Sequence, residues 1–185
     1  MSQSKPVILV IAGPNGSGKS TLTRNMPSFG TYVNADDLKS EYNLTDIEAA
    51  KQAESLRNGL FEKNVDFSFE TVLSTDRNLL LLQKAKTRGY EIQCIYVLTC
   101  DENINVARVR SRVVGGGHDV PDEKIRERYH RALALLPRVI EVCDKLLIFD
   151  NSDKPYLIFS KVNDYVKFTP NKNWTKAKIR KLLGL

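Results

Sequence analysis

The stretch that decides the fold is VILVIAGPNGSGKST, residues 7–21, in which a short apolar run leads directly into a glycine-rich loop. The run VILVIA is apolar at every position and rich in β-branched residues, which is typical of a parallel strand buried on both faces. The loop matches the pattern Gly-x4-Gly-Lys-Ser from Gly13 to Ser20. We therefore predict a strand, a phosphate-binding loop (P-loop) and a helix that begins near Lys19.

The spacing within this loop predicts how it would hold the phosphates of a nucleotide. Glycine at positions 16 and 18 lets the backbone curl so that its N–H groups point inward, and the next helix adds the positive end of its dipole. Lys19 is predicted to reach the β- and γ-phosphates, and Ser20 to supply a hydroxyl to Mg²⁺. ATP and Mg²⁺ are thus the expected cofactors, and the predicted cofactor-binding residues are Gly13, Asn15, Gly16, Ser17, Gly18, Lys19, Ser20 and Thr21.

Length and composition indicate one ordinary globular domain over residues 1–185. The chain is 42% apolar and 27% charged, and no linker-like or repetitive stretch divides it. No apolar run approaches the roughly 18–20 residues that a membrane span needs, so we expect a cytoplasmic protein without membrane contact. Three cysteines, an odd number without metal-like spacing, are expected to be small buried hydrophobic residues: Cys94, Cys100 and Cys143.

The formal net charge of +6 is concentrated in residues 161–185, which contain seven Lys or Arg residues and one acid, Asp164. A basic segment of this kind can bind nucleic acid or another polyanion. It can also be the solvated outer face of a docking helix. The second interpretation is favoured because apolar residues recur near helical spacing, at Trp174, Ile179, Leu182 and Leu183.

Strand-like and helix-like segments alternate along the chain, which predicts a parallel sheet with right-handed crossovers. The expected fold is an α/β P-loop NTPase fold: a doubly wound, mostly parallel, five-stranded sheet flanked by helices, with an arginine-bearing lid, a C-terminal hairpin and a C-terminal helix. The hairpin is expected to turn at Asn163-Asp164. The five predicted strands cover residues 6–12, 31–36, 65–70, 90–99 and 145–151.

Acidic residues follow two of these strands, at the sheet edge where ligands bind. Asp36 and Asp37 lie just past the second strand, where a carboxylate can accept the proton of an attacking hydroxyl, help hold Mg²⁺, or simply begin a helix. Glu70 ends the third strand. With Thr71 it is predicted to bind substrate hydroxyls or Mg²⁺-bound water, although Thr71 could instead cap the next helix.

The segment ARVRSRVVGGGHDVPDEKIRERYHR, residues 107–131, predicts a hinged lid at about residues 113–121. Arginines on such a lid can close over the γ-phosphate and neutralise the transition state. We expect at least one of five to do so. His118 could orient the lid or contact a phosphate, and Tyr129 is expected to pack in the core. The five arginines are Arg108, Arg112, Arg126, Arg128 and Arg131.

The absence of two well-known motifs argues against two classes of P-loop protein, ABC transporter subunits and switch GTPases. The chain has no transporter-type LSGGQ signature, and NKNW at 171–174 lacks the aspartate of a guanine-reading NKxD motif. A compact P-loop protein with an arginine-bearing lid is typical of small-molecule kinases, so we predict an ATP-dependent phosphotransferase. Two alternatives stay open: a nucleic-acid-directed kinase, for which the basic tail would be the binding surface, and a nucleotide-binding regulatory ATPase.

Several motifs appear together and in order: GPNGSGKST, NADDL, FSFETVLS, the RV…RVVGGGHDVP…RYHRAL segment and FDNS. This set, over about residues 7–152, resembles the zeta-toxin-like family of P-loop kinases. The resemblance implies phosphorylation of UDP-N-acetylglucosamine, or a related sugar nucleotide, on a hydroxyl. It also implies a small antitoxin protein as a possible partner.

The resemblance also implies roles for individual residues of this chain. Lys19 and Ser20 would hold ATP and Mg²⁺, with Ser20 as the metal ligand, and Asp36 would be the base. Arg112 and Arg128 would lie over the transferring phosphoryl group and, with Lys19 and Asp36, complete the catalytic set. The expected substrate-binding residues are Asp36, Glu70, Thr71, Arg108 and His118.

Overall fold

A seven-stranded sheet forms the centre of the computed structural model, which describes residues 5–24, 26–27, 29–116 and 119–185. The strand order is β2-β3-β1-β4-β5-β6-β7. Neighbouring strands are parallel from β2 to β5, and β6 and β7 are antiparallel. The strands are β1 (Val7–Ala12), β2 (Thr31–Val33), β3 (Phe67–Thr71), β4 (Glu91–Leu98), β5 (Lys145–Asp150), β6 (Tyr156–Val162) and β7 (Tyr165–Phe168).

The predicted mostly parallel α/β fold is confirmed, and the C-terminal hairpin extends the same sheet. Strand β6 pairs with β5, so the five parallel strands continue into two antiparallel ones. The hairpin turns at Asn163-Asp164, as predicted. Buried strands need both edges covered or paired, and the hairpin covers the edge that β5 would otherwise expose.

Helices connect the parallel strands, and their ends follow local sequence signals. Thr45 and Glu48 form the predicted capping box at the start of α3. Pro137 interrupts the predicted long helix, which divides into α6 and α7. The helices are α1 (Lys19–Thr23), α2 (Ala35–Tyr42), α3 (Asp46–Glu62), α4 (Asp76–Thr87), α5 (Glu102–Val114), α6 (Asp122–Ala134), α7 (Leu136–Val142) and α8 (Lys176–Leu183).

The predicted end of the second strand is wrong. The second strand does not extend to Asp36 but ends at Val33, because Asn34 is the N-cap of α2. The side-chain oxygen of Asn34 accepts a hydrogen bond of 2.9 Å from the backbone N–H of Asp36. Asp36 and Asp37 therefore occupy the first turn of a helix, where its dipole favours negative charge.

The main core lies between the sheet and its helices, and a smaller cluster joins α5 to α6 through Val106, Val109, Val120 and Ile125. Tyr129 is buried, as predicted, and its hydroxyl donates a 2.7 Å hydrogen bond to the carbonyl oxygen of Thr99. Within the described ranges, every helix is too short or too polar to span a bilayer.

The C-terminal helix docks through its apolar face, which confirms the favoured interpretation of that segment. Trp174, Ile179 and Leu183 are buried, whereas the lysines of α8 are exposed. The prediction for the cysteines holds for Cys94 and Cys143 but is wrong for Cys100, which is exposed. Cys100 follows the last residues of β4, where the chain leaves the sheet for the surface.

Candidate active site

The P-loop lies between β1 and α1, at the carboxyl end of the central strand. Register places Ala12 of β1 beside Thr71 of β3 and Tyr96 of β4, so the ends of three parallel strands surround the loop. The N–H of Gly13 donates a 3.2 Å hydrogen bond to the carbonyl oxygen of Thr71. The loop therefore occupies the crevice in which ligands of open α/β sheets bind.

The glycines of the loop are required by both backbone conformation and space. Gly16 and Gly18 have positive φ angles of 73° and 90°. A Cβ atom on Gly18 would lie 2.2 Å from the side-chain nitrogen of Asn151, and one on Gly16 would lie 2.5 Å from the backbone oxygen of Asn105. Only glycine combines this curl with such close neighbours.

Two buried asparagines hold the loop from outside. The side-chain amide of Asn105, on α5, donates a 2.6 Å hydrogen bond to the carbonyl oxygen of Asn15. That of Asn151, just after β5, donates one of 2.8 Å to the carbonyl oxygen of Ser17. These bonds give partners to two carbonyls of the loop and fix its backbone from the sides of α5 and β5.

Neither residue is predicted by the motifs as part of the site. Asn105 interrupts the apolar pattern of α5 between Ile104 and Val106, and a buried amide needs a partner. Asn151 belongs to the FDNS motif at the carboxyl end of a parallel strand. Both asparagines are visible in the sequence as polar residues at unusual positions. Their hydrogen-bond acceptors could not be predicted, because these are distant in sequence.

Lys19 is 7% exposed, and its ammonium group turns back onto the loop. Its Nζ atom donates hydrogen bonds to the carbonyl oxygens of Gly13, at 2.9 Å, and Pro14, at 3.2 Å. Burial lowers the pKa of Lys19, while the negative charges of Glu70 and then Asp36 act to raise it. The lysine predicted to bind phosphate is therefore near enough to Glu70 and Asp36 for their charges to act on its pKa.

Ser20 and Glu70 present oxygen atoms to the same point beside the loop. The Ser20 hydroxyl is 3.3 and 3.2 Å from the two carboxylate oxygens of Glu70, and Lys19 Nζ is 3.7 Å from one of them. In the part of the chain that the structure describes, no three or more His, Cys, Asp or Glu residues form a metal cluster. Mg²⁺ in phosphate sites typically takes one or two protein oxygens plus phosphates and waters, which the Ser20–Glu70 pair fits.

Glu70 also faces the opposite side of the cleft. The hydroxyl of Tyr32 donates a 3.4 Å hydrogen bond to the Glu70 carboxylate and accepts one of 3.2 Å from the side chain of Asn34. Burial, followed by the charge of Glu70, raises the pKa of Tyr32 to about 12. The phenol therefore stays a neutral donor at physiological pH. Sequence analysis did not select Tyr32; its only signal was a polar aromatic group next to a strand end.

Asp36 and Asp37 differ in their surroundings, although both are exposed. Burial, then the neighbouring Asp36 and Glu41 carboxylates, raises the pKa of Asp37. The charge of Asp36 acts to raise the pKa of Lys19.

The hydroxyl of Thr71 is used locally. It accepts hydrogen bonds from the backbone N–H of Leu73, at 3.0 Å, and from the side chain of Asn78, at 2.8 Å. These contacts tie the end of β3 to the first turn of α4, but Thr71 does not cap that helix, because its N-cap is Thr75. The hydroxyl proton of Thr71 is still available for a substrate oxygen.

The predicted arginines fall into two groups. Arg128, on α6, is 3.5 Å from the side-chain oxygen of Asn15 in the P-loop, and the charge of Arg112 acts to lower the pKa of Lys19. Arg108 donates hydrogen bonds of 2.8 and 3.2 Å to the carbonyl oxygens of Asn151 and Ser152. Of these three, Arg128 contacts the loop itself and Arg108 contacts the segment that holds it.

The other two arginines are bound elsewhere. Arg126 pairs with Glu102 at 3.2 Å, and Arg131 pairs with Glu127 on its own helix at 2.7 Å. His118 lies outside the described residues. Of the predicted lid, the structure describes 113–116 and 119–121.

The fold and site together define a nucleotide-binding P-loop kinase. The family model described as "Zeta toxin" matches residues 24–163, most of the chain. The chain therefore belongs to the zeta toxin family, which confirms the resemblance seen in its motifs. An uncharacterized protein of Haemophilus influenzae is 30% identical over 123 residues, which cover 63% of this chain and 88% of that protein.

A cytidylate kinase of Sulfurisphaera tokodaii is 27% identical and covers 90% of this chain and 99% of its own length. Among solved structures, the AvrRxo1-ORF1:-ORF2 complex with ATP has a TM-score of 0.75 at 13% identity. The match covers 98% of this chain and 64% of that one.

The PezAT chromosomal toxin-antitoxin system of Streptococcus pneumoniae has a TM-score of 0.57 at 17% identity, covering 100% of this chain and 85% of that one. At this identity, both structural similarities show the fold alone.

Proposed function

We propose that this chain transfers the γ-phosphoryl group of ATP to a hydroxyl group of a small molecule, with UDP-N-acetylglucosamine or a related sugar nucleotide as the acceptor. The observation that carries the proposal is the position of Asp36. It is an exposed carboxylate on the acceptor side of the cleft, within the electrostatic reach of the phosphate lysine Lys19. A carboxylate in this position can accept the proton of an acceptor hydroxyl.

In the proposed reaction, the acceptor hydroxyl gives its proton to the Asp36 carboxylate as its oxygen forms a bond to the γ-phosphorus. The bond between that phosphorus and the β–γ bridging oxygen breaks, and ADP leaves with the electron pair. Because Asp36 is exposed, it can exchange the proton with solvent before the next turnover.

Lys19 and the arginines supply positive charge to the phosphates. Lys19 would exchange its bonds to the loop carbonyls for bonds to the β- and γ-phosphates. Arg112 and Arg128 approach from α5 and α6 and would stabilise the transferring group. Ser20 and Glu70 would hold Mg²⁺, which neutralises charge between the two phosphates when bound.

The acceptor is proposed to lie between α2 and the end of β3. Glu70 and Tyr32 offer hydrogen-bonding groups there, and Thr71 has a hydroxyl proton to donate. His118 is proposed to contact the acceptor or a phosphate from the lid. Arg108 is proposed to act beside the nucleotide, because its guanidinium holds residues 151–152 next to the P-loop.

The test is incubation with ATP, Mg²⁺ and a panel of UDP-sugars, nucleosides, CMP and oligonucleotides, with products weighed by mass spectrometry. We expect one added phosphate on UDP-N-acetylglucosamine, and none with Lys19→Ala. Release of ADP with no phosphorylated acceptor would refute transfer to this panel and favour the regulatory ATPase. Phosphorylated oligonucleotides alone would favour the nucleic-acid-directed kinase.

A second candidate acceptor is a nucleoside monophosphate. It is supported by the cytidylate kinase that is 27% identical over 90% of this chain. The two acceptors make opposite predictions for Asp36→Asn. The attacking oxygen of a phosphate acceptor is largely deprotonated near neutral pH and needs no general base. CDP formation should therefore continue in Asp36→Asn, whereas transfer to a sugar hydroxyl should be lost.

We also propose a small antitoxin protein as partner. The family assignment supports this, and the PezAT similarity involves a toxin-antitoxin system. Expression of the chain alone in a bacterial host should arrest growth, and Lys19→Ala should remove the arrest. Normal growth with active, soluble kinase would contradict a toxic role.

A further inference from the structure

A second concave site lies between the α6–α7 bend and α8, and it shares no lining residue with the P-loop. It is an open groove with a volume of about 390 Å³. Its walls are mainly apolar and include Leu133 and Pro137 on one side and Leu182 on the other. Trp174, the single tryptophan of the chain, also lines it. A concave, mostly apolar space of this size is typical of small-molecule sites.

Two lysines on α8 supply charged donors at this groove. Lys178 and Lys181 lie one turn apart on α8 and both line it. The Nζ atom of Lys178 also donates a 3.1 Å hydrogen bond to the carbonyl oxygen of Asn173. The indole N–H of Trp174 is buried and has no acceptor among the described residues. Helix α8 contains no acidic residue that could neutralise the lysines, so their ammonium groups offer hydrogen bonds that an oxyanion could accept.

We propose that this groove binds a small organic anion that has an apolar ring body and one acidic group. The ring would pack against Leu133, Pro137 and Trp174, and the acidic oxygens would accept hydrogen bonds from Lys178 and Lys181. Charge supports this choice, because residues 161–185 hold seven basic residues and only Asp164 as an acid. The volume of the groove suits a ligand of one or two rings.

The groove is connected to the P-loop by hydrogen bonds. The backbone N–H of Trp174 donates to the side chain of Asn171 at 2.8 Å. The side chains of Asn171 and Asn173 donate to the buried carboxylate of Asp150, at 2.8 and 3.1 Å. The next residue, Asn151, holds the P-loop at Ser17. A ligand that shifts Trp174 is therefore expected to change ATP affinity, and ATP to change ligand affinity equally.

The test uses 8-anilinonaphthalene-1-sulfonate, an apolar ring system with one anionic group, as the probe. Because Trp174 is the only tryptophan, quenching of its fluorescence reports binding at the groove. We expect saturable binding of one probe per chain. The Lys178→Ala/Lys181→Ala double variant should bind at least about tenfold more weakly, because two charged hydrogen bonds are lost.

Two matched controls make the result specific. The Lys172→Ala/Arg180→Ala variant removes the same charge from exposed positions outside the groove and should bind like the unmodified chain. N-phenyl-1-naphthylamine, the same ring system without the sulfonate, should bind at least about tenfold more weakly. Thermal unfolding of both double variants must show intact folds.

The proposal would be overturned if the two double variants bound 8-anilinonaphthalene-1-sulfonate with the same affinity. It would also be overturned if the neutral probe bound the unmodified chain as tightly as the anionic one. Displacement of the probe by polyglutamate, but not by benzoate or naphthoate, would overturn it in favour of an acidic macromolecular partner. For the link to the P-loop, ATP affinity is measured with and without saturating probe. We expect a change of at least about threefold that is absent in the Lys178→Ala/Lys181→Ala variant, and an unchanged affinity would overturn the link.

Discussion

The two sides of the catalytic cleft are built in different ways. On the nucleotide side, Ser17 and Asn105 are fully buried and Lys19 is 7% exposed. On the proposed acceptor side, Asp36 is exposed and Tyr32 is 42% exposed. Phosphate binding thus relies on a loop held in place before the ligand arrives. In the proposed function, acceptor recognition would rely on surface side chains.

This difference explains why the sequence identifies the phosphate-binding side but not the acceptor. Phosphate oxygens need several N–H groups in one geometry, which requires glycine conformations and a supporting shell of buried hydrogen bonds. Acceptors vary in shape, and exposed carboxylates and phenols can serve many of them. Variants of each side should therefore change different measurements, ATP affinity for one and turnover for the other.

The largest expected effect is on the acceptor side. Asp36→Asn should lower kcat about 10²- to 10⁴-fold, because the general base is lost, while ATP affinity changes little. Asp37→Asn is the matched control, since it removes the same charge one residue away, and it should keep most of the turnover. Turnover is measured by coupled ADP release with acceptor present. A large loss of ATP binding in Asp36→Asn would assign Asp36 to the metal instead.

On the nucleotide side, Gly18→Ala should weaken ATP binding about 100-fold. The new Cβ would lie 2.2 Å from Asn151, and the φ of 90° costs a further 1–2 kcal/mol, approximately, for a non-glycine residue. Gly89→Ala is the control: its φ of 94° brings the same strain, but nothing lies within 4 Å of its Cβ position. It should lower stability and leave ATP affinity intact, as measured by calorimetry.

A smaller effect is expected from Asn151→Ala, which removes the brace at Ser17 without adding bulk. Leaving that carbonyl unsatisfied costs about 1–3 kcal/mol, so ATP affinity should fall about tenfold. Asn58→Ala, at an exposed position of α3, should leave it unchanged. If both variants bind ATP equally well, the P-loop is held by its own turns and the comparison between the two sides loses its basis.

The smallest effect is expected from Tyr32→Phe. It removes the hydroxyl that donates a long hydrogen bond of 3.4 Å to the Glu70 carboxylate and accepts one from Asn34. KM for the acceptor should therefore rise about threefold, with ATP affinity unchanged. Tyr165→Phe, at an exposed position of β7, is the control. The steady-state KM of each substrate measures the effect. A shift in ATP binding rather than acceptor KM would place Tyr32 on the nucleotide side.

Prediction from the sequence succeeded where one local signal was unopposed. The P-loop, the capping box at Thr45 and Glu48, the interruption at Pro137 and the hairpin turn all depend on neighbouring residues. The early end of β2 was missed because two local preferences competed at Asn34, a strand and a helix cap. The position of Glu70 beside Ser20 was expected only in general terms, because it depends on β3 pairing with β1.

By itself, the sequence determined the class of the protein: a buried strand, a glycine-rich loop and a helix bind phosphate through short-range geometry. Only the tertiary structure decided what holds that loop. Asn105 lies 90 residues from Asn15, and Asn151 lies 134 residues from Ser17. The physical reason is that backbone conformation is set locally, whereas a buried amide finds its acceptor only when sheet order and helix packing bring distant segments together.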